Sequence, residues 1–207
     1  MISFDIETMP NKAMIDRLPP VEADSRLKDP AKIEASIAAA KAKQVADMAL
    51  SPLWGRVVMW ATNEGNYVII EEDTDDCERN VIETAFNVIR GCEFCTFNGM
   101  SFDVPYLYRR AVMLGIKTPG PMSRFCKRYS LTPHMDIRMV WTNWNSYEAG
   151  SLGVLASAIL GEGKGEWDHT KTAAAIESCA TADLIGYCIQ DCKLTYDLYK
   201  RFEGVLI

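Results

Sequence analysis

Apolar and polar positions recur along this chain with a period that changes from segment to segment, and the changes mark alternating strands and helices. Residues 2–4, with Ile2 and Phe4, predict a short buried first strand. Residues 9–30, rich in Pro, Asp and Lys, predict an irregular excursion. A helix follows, with Asp29 as its N-cap, Pro30 at its first position, an apolar stripe through Ile33, Ile37, Ala40 and Met48, and an end near Leu50. Residues 56–62 and 66–70 read as two strands around the turn Asn63-Glu64-Gly65, hence a hairpin. A helix over about 78–90 would bury Val81, Ile82, Ala85 and Ile89. Residues 94–97 predict a strand, 98–101 a loop, about 102–114 a helix and 135–140 a last strand. Ser151 is placed to cap a short helix through Leu160, the glycine-rich loop GEGKG (161–165) follows, and a long helix spans about 182–202. The order predicts an α/β protein with a mixed central β-sheet flanked by helices.

Composition narrows the class. With 207 residues, 48 % of them apolar, the chain can bury a core as one domain, residues 1–207, with a helical insertion at about 11–50. There is no internal repeat, no linker, and no apolar run near the roughly 18 residues of a membrane span, so no membrane partner is expected. The first residues, MISFDIET, lead straight from strand to acidic positions without a basic lead-in or cleavage site. Seven scattered cysteines make no disulfide framework, so a reducing, cytoplasmic setting is expected. A net charge of −6 argues against a protein that coats DNA through counterion release, yet leaves room for an enzyme that meets phosphate through bound metal. The charge is uneven. Between positions 104 and 135 lie Arg109, Arg110, Lys117, Arg124, Lys127 and Arg128 without one acidic residue, either a solvated face or a track for a nucleic-acid backbone.

The candidate chemistry lies in three acidic segments. In FDIET, Asp5 and Glu7 stand two apart at a strand end and so point to one face. Two such anions need a cation between them, and oxygen ligands suit Mg²⁺ or Mn²⁺. In NGMSFD, the chain turns on Gly99 and sets Asp103 at a helix start, where it can also act as a plain cap. In YCIQD, Tyr187 and Asp191 are four apart and share a face of the last helix, close to the packed side marked by Leu184, Leu194 and Leu198. An unpaired carboxylate there is costly, and a metal removes that cost. Four carboxylates and a phenol are the inventory for phosphodiester cleavage with two divalent ions.

These three segments, in this order, resemble the exonuclease motifs of the DEDD superfamily in its tyrosine branch. The stretches LSPLWGRVVMWA (50–61), FNGMSFDVPYLYRRA (97–111), SLGVLASAILGEGKG (151–165) and YCIQDCKLTYDLYKRF (187–202) resemble predicted stand-alone exonucleases related to the proofreading domain of family-B DNA polymerases. The resemblance implies a ribonuclease H-like fold with Asp5 on its first central strand. It also implies removal of 5′-mononucleotides from the 3′ end of single-stranded or frayed DNA. Asp5, Glu7 and Asp191 would ligate one ion, Asp5 and Asp103 a second, and Tyr187 would stand beside the attacking water. Asn98, Phe102, Arg124, Lys127 and Arg128 are expected to touch substrate. The alternatives are the same chemistry on RNA or short oligonucleotides, or an inactive nucleic-acid-binding domain. Replication or repair proteins are the expected partners.

Other residues carry less. GEGKG lacks the spacing of a phosphate-binding P-loop. Cys92 and Cys95 have no second pair to complete a zinc site, although Cys188 and Cys192 sit one helical turn apart. His134 reads chiefly as a structural histidine and Asp136 as an auxiliary acidic residue. His169 is expected to lie in a loop outside the site. Trp141, Trp144 and Tyr147 could stack a splayed base or simply pack.

Overall fold

The computed structural model describes residues 1–145 and 150–207. Its centre is a five-stranded sheet in the order β3-β2-β1-β4-β5. β1 (Ile2–Pro10) is paired on both sides, antiparallel to β2 (Gly55–Thr62) and parallel to β4 (Phe94–Thr96). β3 (Tyr67–Ile69) completes the predicted hairpin, and β5 (His134–Asp136) lies parallel to β4. This is the mixed sheet that the alternation of periods predicts.

β1 is longer than its sequence suggests. The expected strand stops at residue 4, whereas pairing with β2 continues from Phe4↔Thr62 to Pro10↔Gly55, with a bulge between Glu7 and Thr8. Asp5 and Glu7 therefore lie inside a central strand rather than at its end. A strand buried on both faces needs no apolar alternation when its polar face meets polar partners.

Among the described residues seven α-helical segments flank the sheet. α1 (Pro30–Asp47) starts as predicted, Asp29 accepting from the Ala31 N–H at 2.9 Å with Pro30 at the first position. Of its expected stripe, Ile33, Ile37 and Ala40 are only partly buried, no residue within α1 being fully so, while Met48, just beyond the helix end, is the buried anchor at 1 % exposed. α2 (Asp75–Gly91) buries the four predicted residues together with Phe86 and Glu78. α3 (Asp103–Leu114) and α7 (Ala182–Phe202) match their predicted spans closely.

The predicted strand over 135–140 is half strand and half helix. After β5 the Asp136 carboxylate accepts from the N–H groups of Arg138 and Met139, which caps α4 (Ile137–Trp141) and turns the chain out of the sheet. Ser151 caps α5 (Leu152–Leu155) through the Val154 N–H, and a π-helical turn follows to Leu160. α6 (Thr172–Glu177) has no counterpart in the sequence reading; six residues are too few to show a period.

α7 bridges two apolar clusters. Its Leu184, Cys188 and Cys192 join the main core with Phe4, Ile6, Trp60 and Phe94, while Leu194, Leu198 and Phe202 pack with Met135, Leu152 and Leu155. No helix among the described residues is long and apolar enough to cross a membrane.

Candidate active site

Three elements deliver the four predicted carboxylates to one cavity of about 250 Å³, which Tyr187 also lines. From β1, Asp5 and Glu7 face α7: the Ser3 hydroxyl, on the same face, donates to the Cys192 carbonyl, and the Cys188 sulfur lies 3.9 Å from Asp5 Oδ2. From the turn after β4 comes Asp103, 3 % exposed, whose Oδ1 accepts the backbone N–H of Ile6 at 3.2 Å. That bond ties the start of α3 to the strand between the first two carboxylates.

The turn itself is held from below. Asp136 accepts the N–H groups of Asn98 and Met100 at 3.0 and 2.9 Å. Gly99 sits so close to Thr96 that a Cβ would lie 2.3 Å from its hydroxyl oxygen, so no side chain fits there. Asn98 takes a left-handed φ of 67° and points its side chain at Arg138, whose Nη1 donates to Asn98 Oδ1 at 3.1 Å. Asp136 thus shapes the loop that carries Asp103 and does not line the cavity. His134 is structural as well. Its two ring nitrogens meet the Phe125 carbonyl at 2.8 Å and the Thr96 hydroxyl at 2.7 Å, and burial pushes its pKa down to about 4.

α7 contributes Asp191 and Tyr187, one turn apart. Asp191 is 6 % exposed; its Oδ2 meets Lys164 Nζ at 2.5 Å, whereas its buried Oδ1 has no hydrogen-bond partner among the described residues. Lys164 comes from the glycine-rich loop, which Gln190 clamps by accepting from Gly165 N–H at 3.2 Å and donating to the Gly163 carbonyl at 3.1 Å. The ammonium also lies 4.9 Å from the centre of the Tyr187 ring. His169 enters from the following loop, contrary to the sequence expectation. Its Nδ1 is 3.4 Å from Glu7 Oε2, and its ring stands edge-on to Tyr187 at 5.7 Å between centroids.

Burial raises the pKa of every carboxylate here. Asp5 is held well above the ordinary range by burial and by the neighbouring charges of Asp103 and Glu7. Asp103 rises to about 7 because burial outweighs its backbone hydrogen bonds. Burial also lifts Glu7 against the contact with His169, and Asp191 against its contact with Lys164. The Tyr187 phenol is raised to about 12 by burial and stays protonated at neutral pH. The hydrogen bond to Glu7 raises the His169 pKa. The set is thus short of positive charge. Its oxygen donors suit a hard divalent cation, and Asp5, Glu7 and Cys188 each offer a ligand atom within 4.8 Å of the others.

A second hollow, about 460 Å³, shares Asp5, Asp191 and Lys164 with the first and extends past Arg138, Ser151 and Leu152. Asn98 lines both hollows and Phe102 the smaller one. Arg124, Lys127 and Arg128 line neither. Arg128 borders a separate depression of about 260 Å³, donates to the Trp144 carbonyl at 3.1 Å and lies 5.0 Å over the Tyr129 ring. Arg110 leaves the basic track altogether: it is 2 % exposed and bound to Glu78. Trp144 packs on Tyr129 and Trp141 on Phe202; Tyr147 lies outside the described residues. Cys92 ends α2 half-buried and Cys95 is buried in β4, while Cys188 and Cys192 are both free and buried.

Arg138 and Lys164 were not singled out as site residues from the sequence. Lys164 had one available signal, its place among glycines before the third motif; Arg138 had none.

Comparison with known proteins gives a consistent picture. Residues 55–206 match a family described as "Predicted 3′-5′ exonuclease related to the exonuclease domain of PolB". The match leaves out β1 and with it Asp5 and Glu7. A DNA polymerase of Pyrococcus glycovorans is 29 % identical over 168 residues, which are 70 % of this chain and 22 % of that protein. DNA polymerase 1 of Aeropyrum pernix is 30 % identical over 114 residues, 50 % of this chain and 11 % of that one. The chain therefore spans about a fifth or less of these relatives. The family B DNA polymerase of the hyperthermophilic archaeon Pyrobaculum calidifontis aligns with 97 % of the chain and 24 % of its own, at a TM-score of 0.61 and 17 % identity. That likeness fixes the fold, an α/β architecture consistent with the ribonuclease H-like class.

Proposed function

The chain belongs to the family of predicted 3′–5′ exonucleases related to the exonuclease domain of PolB, and from that premise we propose that it removes 5′-mononucleotides from single-stranded or frayed 3′ ends of DNA. The observation that carries the reading is the meeting of Asp5, Glu7, Asp103 and Asp191, from three distant segments, in one cavity with raised pKa values and an unpartnered Asp191 oxygen.

Asp5, Glu7 and Asp191 would hold one divalent ion, and Asp5 with Asp103 a second. Bound there, Mg²⁺ or Mn²⁺ supplies charge neutralisation at the phosphate and acidifies the attacking water. The remaining work falls to the chain. The Tyr187 phenol, protonated at neutral pH, orients the water through a hydrogen bond and does not remove its proton. The Lys164 ammonium, fixed by Gln190 through its loop, offers a positive charge beside Asp191 for a phosphate oxygen. His169 steadies Glu7 from the loop side. Asn98 and Phe102 line the route to these groups. DNA is preferred over RNA because the named relatives are DNA polymerases. Because those relatives are DNA polymerases, replication or repair proteins are the proposed partners.

The test is cleavage of 5′-labelled single-stranded DNA, duplex DNA and RNA of one sequence with Mg²⁺ or Mn²⁺. The expected outcome is a ladder shortening from the 3′ end, fastest on single-stranded DNA and abolished by chelator. Cleavage confined to RNA would move the substrate to the alternative class, and an intact substrate with folded protein would remove the enzymatic reading.

A further inference from the structure

The basic segment that misses both hollows has a concave surface of its own. The depression that Arg128 borders, about 260 Å³, is as large as the carboxylate cavity; Met100, Ser101, Cys126, Met139 and Trp144 complete its described lining. Met100 and Ser101 belong to the same turn as Asn98 and Phe102, which line the cavity, so a single turn separates the two. The depression is mostly apolar inside and positive at its rim. Arg124, Lys127 and Arg128 are exposed and form no ion pair among the described residues. Asp136 lies behind the turn with its oxygens taken by four backbone N–H groups, and no acidic side chain among the described residues lines the depression. Arg128 directs one N–H to the Trp144 carbonyl at 3.1 Å and lies 5.0 Å from the centre of the Tyr129 ring. Tyr129 in turn packs on Trp144 at 5.3 Å between centroids. Both aromatic residues hold left-handed backbone, φ 63° and 62°, which a residue with a Cβ enters only at a cost. Core packing does not explain that cost, since Tyr129 is 68 % exposed and Trp144 only half-buried.

We propose that this depression is a second nucleic-acid site, which takes an internal nucleobase of the single strand whose 3′ end lies in the carboxylate cavity. It rests on the exonuclease reading above for the placement of that end. Trp144 stacks on the base, and Arg128 with its exposed neighbours meets the phosphates beside it. Every base has a flat π-face, so the stack does not depend on sequence, and a guanidinium fork matches phosphate oxygens in pairs. Charge decides the occupant. Three cations without ion-pair partners around an aromatic wall complement a polyanion with flat faces, whereas an apolar peptide gains nothing from them. With a net charge of −6 the protein as a whole repels such a polyanion, and a local basic rim is what draws the strand to this side of the turn. Strands too short to span both sites should therefore bind weakly.

The test uses the full chain and 5′-labelled single-stranded DNA in which one abasic position is moved inward from the 3′ end. Binding is read by fluorescence anisotropy in Ca²⁺ and single-turnover cleavage in Mg²⁺. In wild type one internal abasic position should weaken binding, separately from any effect at the terminus. Trp144→Ala should weaken binding of the intact strand by about 5- to 150-fold, the range for one base–aromatic stack, and make that position silent; Trp144→Phe should keep most of the affinity. KM should rise in step, while kcat at saturation stays within a few-fold. Arg128→Gln, at an exposed position that carries the test should Trp144→Ala not fold, should lower the slope of log K against log salt by about 0.7. Tyr67→Ala, on the opposite edge of the sheet and 47 % exposed, should bind as wild type. The site is overturned by a wild type with no sensitive internal position, by a sensitivity that survives Trp144→Ala, by an unchanged salt slope in Arg128→Gln, or by an equal loss in Tyr67→Ala. Position-dependent binding without release of nucleotides keeps the site and removes the exonuclease reading; 3′-end cleavage with KM unmoved by Trp144→Ala does the reverse.

Discussion

Two clusters of buried charge lie at the two ends of α3, and they are built to opposite rules. Toward its C-terminal end Arg110 makes a two-pronged ion pair with the fully buried Glu78, at 2.7 and 2.6 Å. Arg56 adds a contact to Glu78 at 3.3 Å and reaches Asp73 and Asp75 at 2.7 and 2.9 Å. The Val57 N–H fills another lone pair of Glu78. There the chain supplies both signs. At the first residue of the same helix, Asp103 joins Asp5, Glu7 and Asp191, and among the described residues only Lys164 and the half-exposed His169 stand as counter-charge in the cavity. Each of these four carboxylates has a raised pKa, and Asp191 keeps a bare oxygen. In a closed cluster, removing one partner strands a buried charge. An open one costs stability until a cation meets it.

The contrast can be broken first at Asp5. Asp5→Asn is expected to lower single-turnover cleavage by at least about 10³-fold, since it removes the residue proposed to meet both ions. The same change should raise the melting temperature in chelator, because it deletes a buried negative charge. A folded variant that cleaved at the wild-type rate, or melted lower without metal, would put Asp5 in the structural class.

The converse change is Glu78→Ala. It strands Arg110, 2 % exposed at its side chain, takes one of three acidic partners from Arg56, and should cost about 3–5 kcal/mol of stability in denaturant unfolding. Cleavage per folded molecule should stay within a few-fold. A selective loss of rate with normal stability would merge the two clusters into one functional unit.

Tyr187→Phe sharpens the division inside the open cluster. Turnover should fall roughly 10- to 10³-fold, as for the loss of one positioning hydrogen bond, while metal titrations stay within a few-fold. If metal affinity fell in step with rate, Tyr187 would belong with the groups that support Asp191.

The smallest effect is a pH dependence. The folded-state pKa of Asp103, about 7, lies above its unfolded value near 3.8. Without metal its contribution is therefore fully present below about pH 4 and is lost as pH rises through 7, by roughly 2–4 kcal/mol. A divalent ion reverses that loss, so the rise in melting temperature on adding Mg²⁺ should widen between pH 5 and 8. His134, whose folded pKa of about 4 makes it destabilising as pH falls below 6.5, contributes alike with and without the ion and cancels in the difference. A metal-induced shift that is flat over this range would mean that the ion binds elsewhere.

Much of this was legible in the sequence where one local rule governs. The cap at Asp29, the hairpin around Gly65 and the span of α7 each follow from spacing over a few residues, whereas the meeting of the three acidic segments was implied by the family resemblance. The rest depends on partners far along the chain. β1 runs on past Phe4 because β2 pairs with it as far as Pro10, and nothing between Asp5 and Pro10 advertises that. Asp136 looks like a spare catalytic acid until its four backbone donors are seen. Arg110 looks like part of a basic track until Glu78, 32 positions away, takes it inside. His169 and Lys164 stand in an irregular loop whose course is set by Gln190 and Glu7, so no period could place them.

The packing of β1 against α7 also sets when the site can exist. Asp5 and Cys188 touch across 183 positions of chain. A ribosome adds about 5–20 residues per second, so Asp5, Glu7 and Asp103 emerge seconds before Tyr187 and Asp191 have been translated. A nascent chain interrupted before α7 carries three of the four carboxylates and no complete cavity.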